Sequence, residues 1–337
     1  MLCDRSDTRP VLWVFSYFAL TWLAWLQPHT CFCTVAVLCY FSFAGACITH
    51  NSMHGRTFVS PWHETIWRHL LSGSYGHPVS TFVPGHNLSH HRYTQTAMDP
   101  MRTSKLRYRC NVLNLLLFQP TVSASVFRLD VQYLLLKRHC RHSYYSTCVN
   151  EWLVLAVSQL GLLMMDPSKF LILVWVPHLF AQWAIVTMNL LQHDGCDVDS
   201  DNGMNGSRNF TGTIINFLTF NNGLHTIHHM NPTLHWSKLP EYHEKMVSGK
   251  NNPNLNQCCM ATYAFKAFVY PGKRVNYDGE AVKLPPAEPD ADWIVHHTPE
   301  GVTRKDYDVC TTDLLKLLPL LSMKIMCPTY SAQFKVD

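Results

Sequence analysis

Two stretches near the start of the chain, 11 to 26 (VLWVFSYFALTWLAWL) and 31 to 48 (CFCTVAVLCYFSFAGACI), are almost free of charge and show no polar face at the helical period. A helix that is apolar all round needs apolar surroundings on every side, so both read as membrane helices, although each is short for a span. Gln27, Pro28 and His29 separate them, which predicts a tight helical hairpin. A second pair follows at 152 to 165 (WLVLAVSQLGLLMM) and 169 to 191 (KFLILVWVPHLFAQWAIVTMNLL), broken by Asp166, Pro167 and Ser168. Between the pairs, 62 to 83 and 112 to 136 are apolar but interrupted by Arg, His or Asp, the pattern of helices lying in the interface plane. The expectation is an all-α integral membrane protein with four transmembrane helices in two hairpins, interfacial helices and a cytosolic histidine-rich cap. Residues 1–10 form a cytosolic N-terminus, 11–250 the membrane domain, and 251–337 a polar, Pro-containing cytosolic extension of unknown role.

Composition agrees with a bilayer: 15% of residues are charged against 47% hydrophobic. The formal charge of +4 is small, and the basic residues form no stripe with interleaved aromatics, which excludes a nucleic-acid partner. Arg102, Lys105, Arg107, Arg109, Lys137, Arg138 and Arg141 gather between the hairpins. The positive-inside bias puts that loop, and with it both termini, in the cytosol. Asp4, Arg5, Asp7 and Arg9, with no small-residue cleavage pattern nearby, argue against a removable signal peptide. The 13 cysteines are scattered without a C-x-x-C pair, and several (Cys31, Cys33, Cys39, Cys47) lie in or beside apolar runs as small hydrophobes, so no disulfide framework is expected. The sequons at Asn87, Asn205 and Asn209 read as unglycosylated.

The chemistry lies in the histidines. Of 20, eight fall into three clusters: His50 and His54 in HNSMH, His86, His90 and His91 in HNLSHH, and His225, His228 and His229 in HTIHH. On a helix, residues three or four apart share a face, so each cluster can aim two or three imidazoles at one point. Imidazole nitrogen suits Fe, Zn, Cu or Ni, and eight such ligands are too many for one ion, so two metals are called for. NLLQH adds Asn189 and His193, four apart at the end of the fourth expected span. The bland alternative for that element is ordinary polar capping of a helix end. Asp194 and Asn222 are candidates to orient imidazoles. His178, inside a span, is a candidate mark of a substrate tunnel. His235 and Trp236 are expected to close the loop after the third cluster.

The pattern HxxxH, HxxxHH, HxxHH at the ends of two helical hairpins resembles the integral-membrane fatty acid desaturase and hydroxylase superfamily, over roughly residues 10 to 245. The resemblance implies a non-haem di-iron centre at the cytosolic face, with the eight clustered histidines as ligands and Asn189 and His193 as an NxxxH element. It implies O2 as co-substrate, a fatty acyl lipid as substrate, and desaturation, hydroxylation or decarboxylation to a terminal alkene as outcome. The stretch NNGLHTIHHMNPTLHWSKLP looks most like bacterial-type acyl desaturases and a decarboxylating relative. No haem-binding HPGG signature is present, so electrons are expected from a separate ferredoxin or cytochrome b5 with its reductase. Other classes fit less well. HExxH is absent, which disfavours a zinc hydrolase, and a metal transporter would carry its ligands near mid-membrane rather than at helix ends.

Overall fold

The computed structural model of the protein describes residues 1–199 and 203–308. Helix α1 (Thr8–Leu26) stops where Gln27 and Pro28 break it, and α2 (Phe32–Ser52) starts on Cys31, whose Sγ accepts from Thr34 N. α3 (Pro61–Tyr75) opens with Pro61 at its first position and closes at Gly76, whose φ of +79° lies in the left-handed region. A Cβ at Gly76 would also meet the His178 ring at 2.5 Å, so the position demands glycine twice over. A π-helical segment, Val83–His90, runs into the single turn α4 (His91–Tyr93). Next come α5 (Asn111–His139), α6 (Ser143–Met165) and the short α7 (Pro167–Phe170). A π-helical turn, Leu171–Trp175, leads into α8 (Val176–His193). The ladder widens there because Pro177 has no N–H to give to the turn before it.

Beyond α8 the described residues form short elements only. β1 (Asn209–Phe210) pairs in parallel with β2 (Asn256–Gln257), with Asn209 opposite Asn256 and Phe210 opposite Gln257. Between them lie α9 (Thr213–Leu218), α10 (His225–Met230) and α11 (Leu239–Met246). α12 (Met260–Ala264) follows, continued by a π turn at Phe265–Val269. The most extensive packing is of α2 along α8; α1 and α3 pack on α2, and α5 on both α8 and α6.

Among the described residues, four helical stretches are long and apolar enough to cross a membrane: Phe32–Ser52, Asn111–His139, Ser143–Met165 and Pro167–His193. In α6 only 17% of the most apolar window is buried, and Val154, Val157, Leu160 and Met164 point outward. Lipid is the solvent that such a surface requires. The number matches the expected four, but the membership differs. α5, expected as an interfacial segment, is one continuous helix of 29 residues and is long and apolar enough to cross, because Arg128 and Asp130 fall late in it and leave 111–127 uncharged. α1 is not among the four, since Arg9 in its first turn and the tryptophans lower its hydropathy.

Several polar groups within these helices find partners on neighbouring elements. Pro120 cannot donate to Leu116 O one turn earlier, and Trp183 Nε1 from α8 takes the place at 3.2 Å. Glu151 on α6 accepts from Arg68 Nε and Ser80 N, each at 2.8 Å.

Candidate metal centre

The C-terminal end of α2 carries His50, and the turn after it His54. The π-helical segment carries His86 and His90, and α4 begins with His91. His193 ends α8, and α10 holds His225, His228 and His229. These nine rings assemble into two groups. One comprises His50, His54, His86, His91 and His228; the other comprises His90, His193, His225 and His229. Within each group, all ligand nitrogens lie within 4.8 Å of one another. The rings of His91 and His229 are 4.4 Å apart between centroids, so the groups are neighbours.

The Nε2 atoms face each other closely. His91 Nε2 is 3.0 Å from His86 Nε2 and 3.1 Å from His228 Nε2; His225 Nε2 is 2.9 Å from His193 Nε2 and 3.1 Å from His229 Nε2. A ring nitrogen offers either one N–H or one lone pair, so it cannot satisfy two such neighbours by hydrogen bonding. A cation between them can: cis nitrogens on a first-row ion with bonds of about 2.1 Å sit about 3.0 Å apart. The Nε2 atoms of His54 and His90 are buried without any hydrogen-bond partner, as ligands awaiting an ion would be. Burial, and next the neighbouring imidazoles, hold His86, His91, His225, His228 and His229 well below the ordinary imidazole range. Neutral rings keep their lone pairs for a metal.

The expectation that each cluster aims at one point holds for His50 and His54 only. In the second cluster the π-helical geometry closes five-residue turns, so His86 pairs with His91 and His90 turns to the other group. In the third, His225 and His229, four apart on α10, share a group and His228 joins the other.

What orients the rings differs from the expectation. His90 Nδ1 lies 2.9 Å from Asp99 Oδ2, both fully buried. Asp99 also accepts from Gln95 N and Met101 N. Burial opposes its ionisation most, yet His90 and those two amides hold the carboxyl below its ordinary value. With the proton fixed on Nδ1, the lone pair of Nε2 points at the site. His193 does the same with Gly206 O at 3.0 Å. Nothing periodic in the sequence links Asp99 to His90; its one signal is an acid before Pro100 in a turn. Asp194 instead pairs with Arg274, and Asn222 lies beside His50 while its own amide donates to Thr219 O.

Asn189, one turn before His193, donates Nδ2 to Met101 O at 3.1 Å and lines a cavity of about 520 Å³ together with His50, His86 and His225. The cavity runs between α5 and α8 past Phe82, Val126, Phe127, Ile185 and Val186. It carries Tyr75, His77, Thr81, Gln182 and Asp130 as well. Asp130 and His77 are on this wall although neither belongs to a motif in the sequence. His178 is not on the cavity wall: its Nε2 meets Tyr17 OH at 2.9 Å and Gly73 O at 3.1 Å, a knot between helices. His235 and Trp236 both hydrogen-bond Asp7 Oδ1 and close their loop as expected.

Fold and site together define a membrane protein with two adjoining imidazole groups able to hold metal beside an apolar cavity. The family model described as fatty acid desaturase matches residues 11–253, and the chain belongs to the fatty acid desaturase family. Membership makes it an oxidoreductase of a family that uses iron and acts on lipid. No curated protein and no solved structure matches the chain.

Proposed function

We propose that the protein is an O2-dependent di-iron desaturase that introduces a double bond into a fatty acyl chain lying in the cavity between α5 and α8. The observation that carries this reading is the junction of that cavity with both histidine groups: His50 and His86 of one and His225 of the other are on its wall. His50, His54, His86, His91 and His228 would hold one iron and His90, His193, His225 and His229 the other, with Asn189 contributing an amide at the cavity side. Bound there, two irons would supply O2 activation and the removal of hydrogen from a C–H bond.

The chain's own residues do the rest. Asp99 and Gly206 O fix the protons of His90 and His193 on Nδ1. Phe82, Val126, Phe127, Ile185 and Val186 exclude water and hold methylenes in line. Which two carbons stop opposite His50, His86 and His225 decides whether a double bond, an alcohol or a terminal alkene results. The cytosolic side for the histidines and both termini, a separate ferredoxin or cytochrome b5 as electron donor, and a membrane domain ending near 250 belong to the same proposal.

Expression in a host of known lipid profile, with mass spectrometry of total fatty acids, tests the reading. A new species lighter by two hydrogens supports it. A gain of one oxygen or a new terminal alkene would replace it by hydroxylation or decarboxylation.

A further inference from the structure

Residues 273–308 lie beyond the family match and fold back onto the loops that follow the second histidine cluster and His193. They form a strap with two polar anchors and an apolar pin. At the first anchor Ala291 N donates to Ala97 O at 2.9 Å, Arg102 donates to Glu288 O at 2.8 Å and pairs with Asp290, and Lys105 Nζ reaches Asp290 at 2.9 Å. At the second, Arg274 donates Nε to Asp194 Oδ2 at 2.8 Å and a second nitrogen to Oδ1, while Tyr277 N donates to Gly195 O at 2.7 Å. The pin is Trp293, Ile294 and Tyr307, buried against Leu129, Tyr133 and Leu136 of α5.

Both anchors sit directly behind rings of the same histidine group. Asp194 is the residue after His193. Arg102, held by Asp290, donates to Asp99 O at 3.3 Å, and the Asp99 side chain accepts from His90. His90 and His193 are two of the four rings in the smaller group. We infer that the strap supports that group selectively: Arg274 and Asp290 are positioning residues that hold His193 and His90 so that the second iron is retained. This rests on the reading of the two groups as iron sites.

Removing a partner that orients a ligating histidine typically weakens metal binding about 10–100-fold. Asp194, 1% exposed, would without Arg274 be a buried carboxylate lacking its ion pair, next to His193. Its rearrangement would pull the end of α8 with it. The larger group has five rings, none adjacent in sequence to Asp194 or Asp99, and is left in place.

The test uses the full chain in lipid nanodiscs loaded with 57Fe, reading iron per chain against chelator concentration and by Mössbauer spectroscopy. Wild type should hold two irons. Arg274→Gln and Asp290→Asn should each release one iron at about 10–100-fold lower chelator while the other stays, and Arg274→Lys and Asp290→Glu should restore much of the retention. Arg304→Gln, at an exposed pair with Asp292 on the strap, should behave as wild type. If Arg274→Gln does not insert, Asp290→Asn and the two conservative variants decide. Retention of both irons, or loss of both in step, overturns the strap's selective role. A wild-type chain that holds fewer than two irons overturns the di-iron reading itself, and the strap proposal with it.

Discussion

His86 and His91 bring their Nε2 atoms to 3.0 Å although they stand five positions apart, because the backbone between them is π-helical. An α-helical HNLSHH would have paired His86 with His90. The π geometry sends His90 into the four-ring group and leaves His91 in the five-ring group, so adjacent residues serve different sites.

Substitutions at these neighbours should therefore differ. His90→Ala takes one of four rings and should strip one iron; His91→Ala leaves four rings in its group and should keep more iron, with slower turnover. Elemental analysis of purified membrane protein reads both, and equal losses would contradict the division. His228→Ala, which also leaves four rings in the five-ring group, should behave as His91→Ala does, keeping more iron than His90→Ala with slower product formation while the chain still inserts.

The exchange of partners at Pro120 predicts a thermodynamic coupling. Trp183→Phe leaves Leu116 O without its donor in apolar surroundings and should destabilise by about 1–3 kcal/mol. In a Pro120→Ala background, the restored N–H at 120 reaches Leu116 O, and the same substitution should cost less. Denaturation of the four chains of the cycle measures the difference; strict additivity would sink the account.

Acid should destabilise the metal-free protein. Six rings outside the apolar spans, His54, His86, His91, His225, His228 and His229, are held well below the ordinary imidazole value, chiefly by burial. Above about pH 6.5 they are neutral in both the folded and unfolded chains and contribute no pH dependence. Below it the unfolded chain takes up protons that the folded one refuses, so each ring lowers stability by up to about 1.4 kcal/mol per pH unit. Thermal melting of chelator-stripped protein between about pH 7.5 and about pH 5.5 should show a falling midpoint as pH drops. A midpoint that rises on acidification would mean that the rings are charged in the fold.

How far these features could be read beforehand follows from the range of the interactions. The histidine clusters stand out because each lies within a few residues, and the helical spans because apolar runs are local. The division of the rings does not stand out, since it depends on a π-helix that departs from the assumed period. Asp99 and Asp290 act across turns and across the fold: Arg102 and Asp290 are 188 residues apart, and no pattern joins them. Asp194 sits next to His193, a proposed ligand, which suggests an orienting role; its partner Arg274, 80 residues on, shows that the contact goes outward to the strap. α5 was hidden by Arg128 and Asp130, which with Lys137 and Arg138 put all of its charge in its C-terminal part and leave 111–127 uncharged.

Asp130 lines the cavity, its Oδ1 is buried without a hydrogen-bond partner, and that oxygen lies 3.5 Å from where a Cβ on Gly85 would stand. Tyr75 OH, on the same cavity, is unpartnered too. A plain hydrocarbon chain seated against an unpaired carboxyl leaves that group's desolvation uncompensated, whereas a chain with a hydroxyl can donate to it. Asp130→Leu should therefore stabilise the substrate-free chain by about 1–3 kcal/mol and shift preference toward unsubstituted acyl chains. Competition between an unsubstituted and a hydroxylated acyl chain in one incubation gives the ratio directly. A rise in the unsubstituted share for Asp130→Leu, with wild type favouring the hydroxylated chain, is the expected result. An equal loss on both substrates would show that the carboxyl supports the fold rather than the choice of substrate.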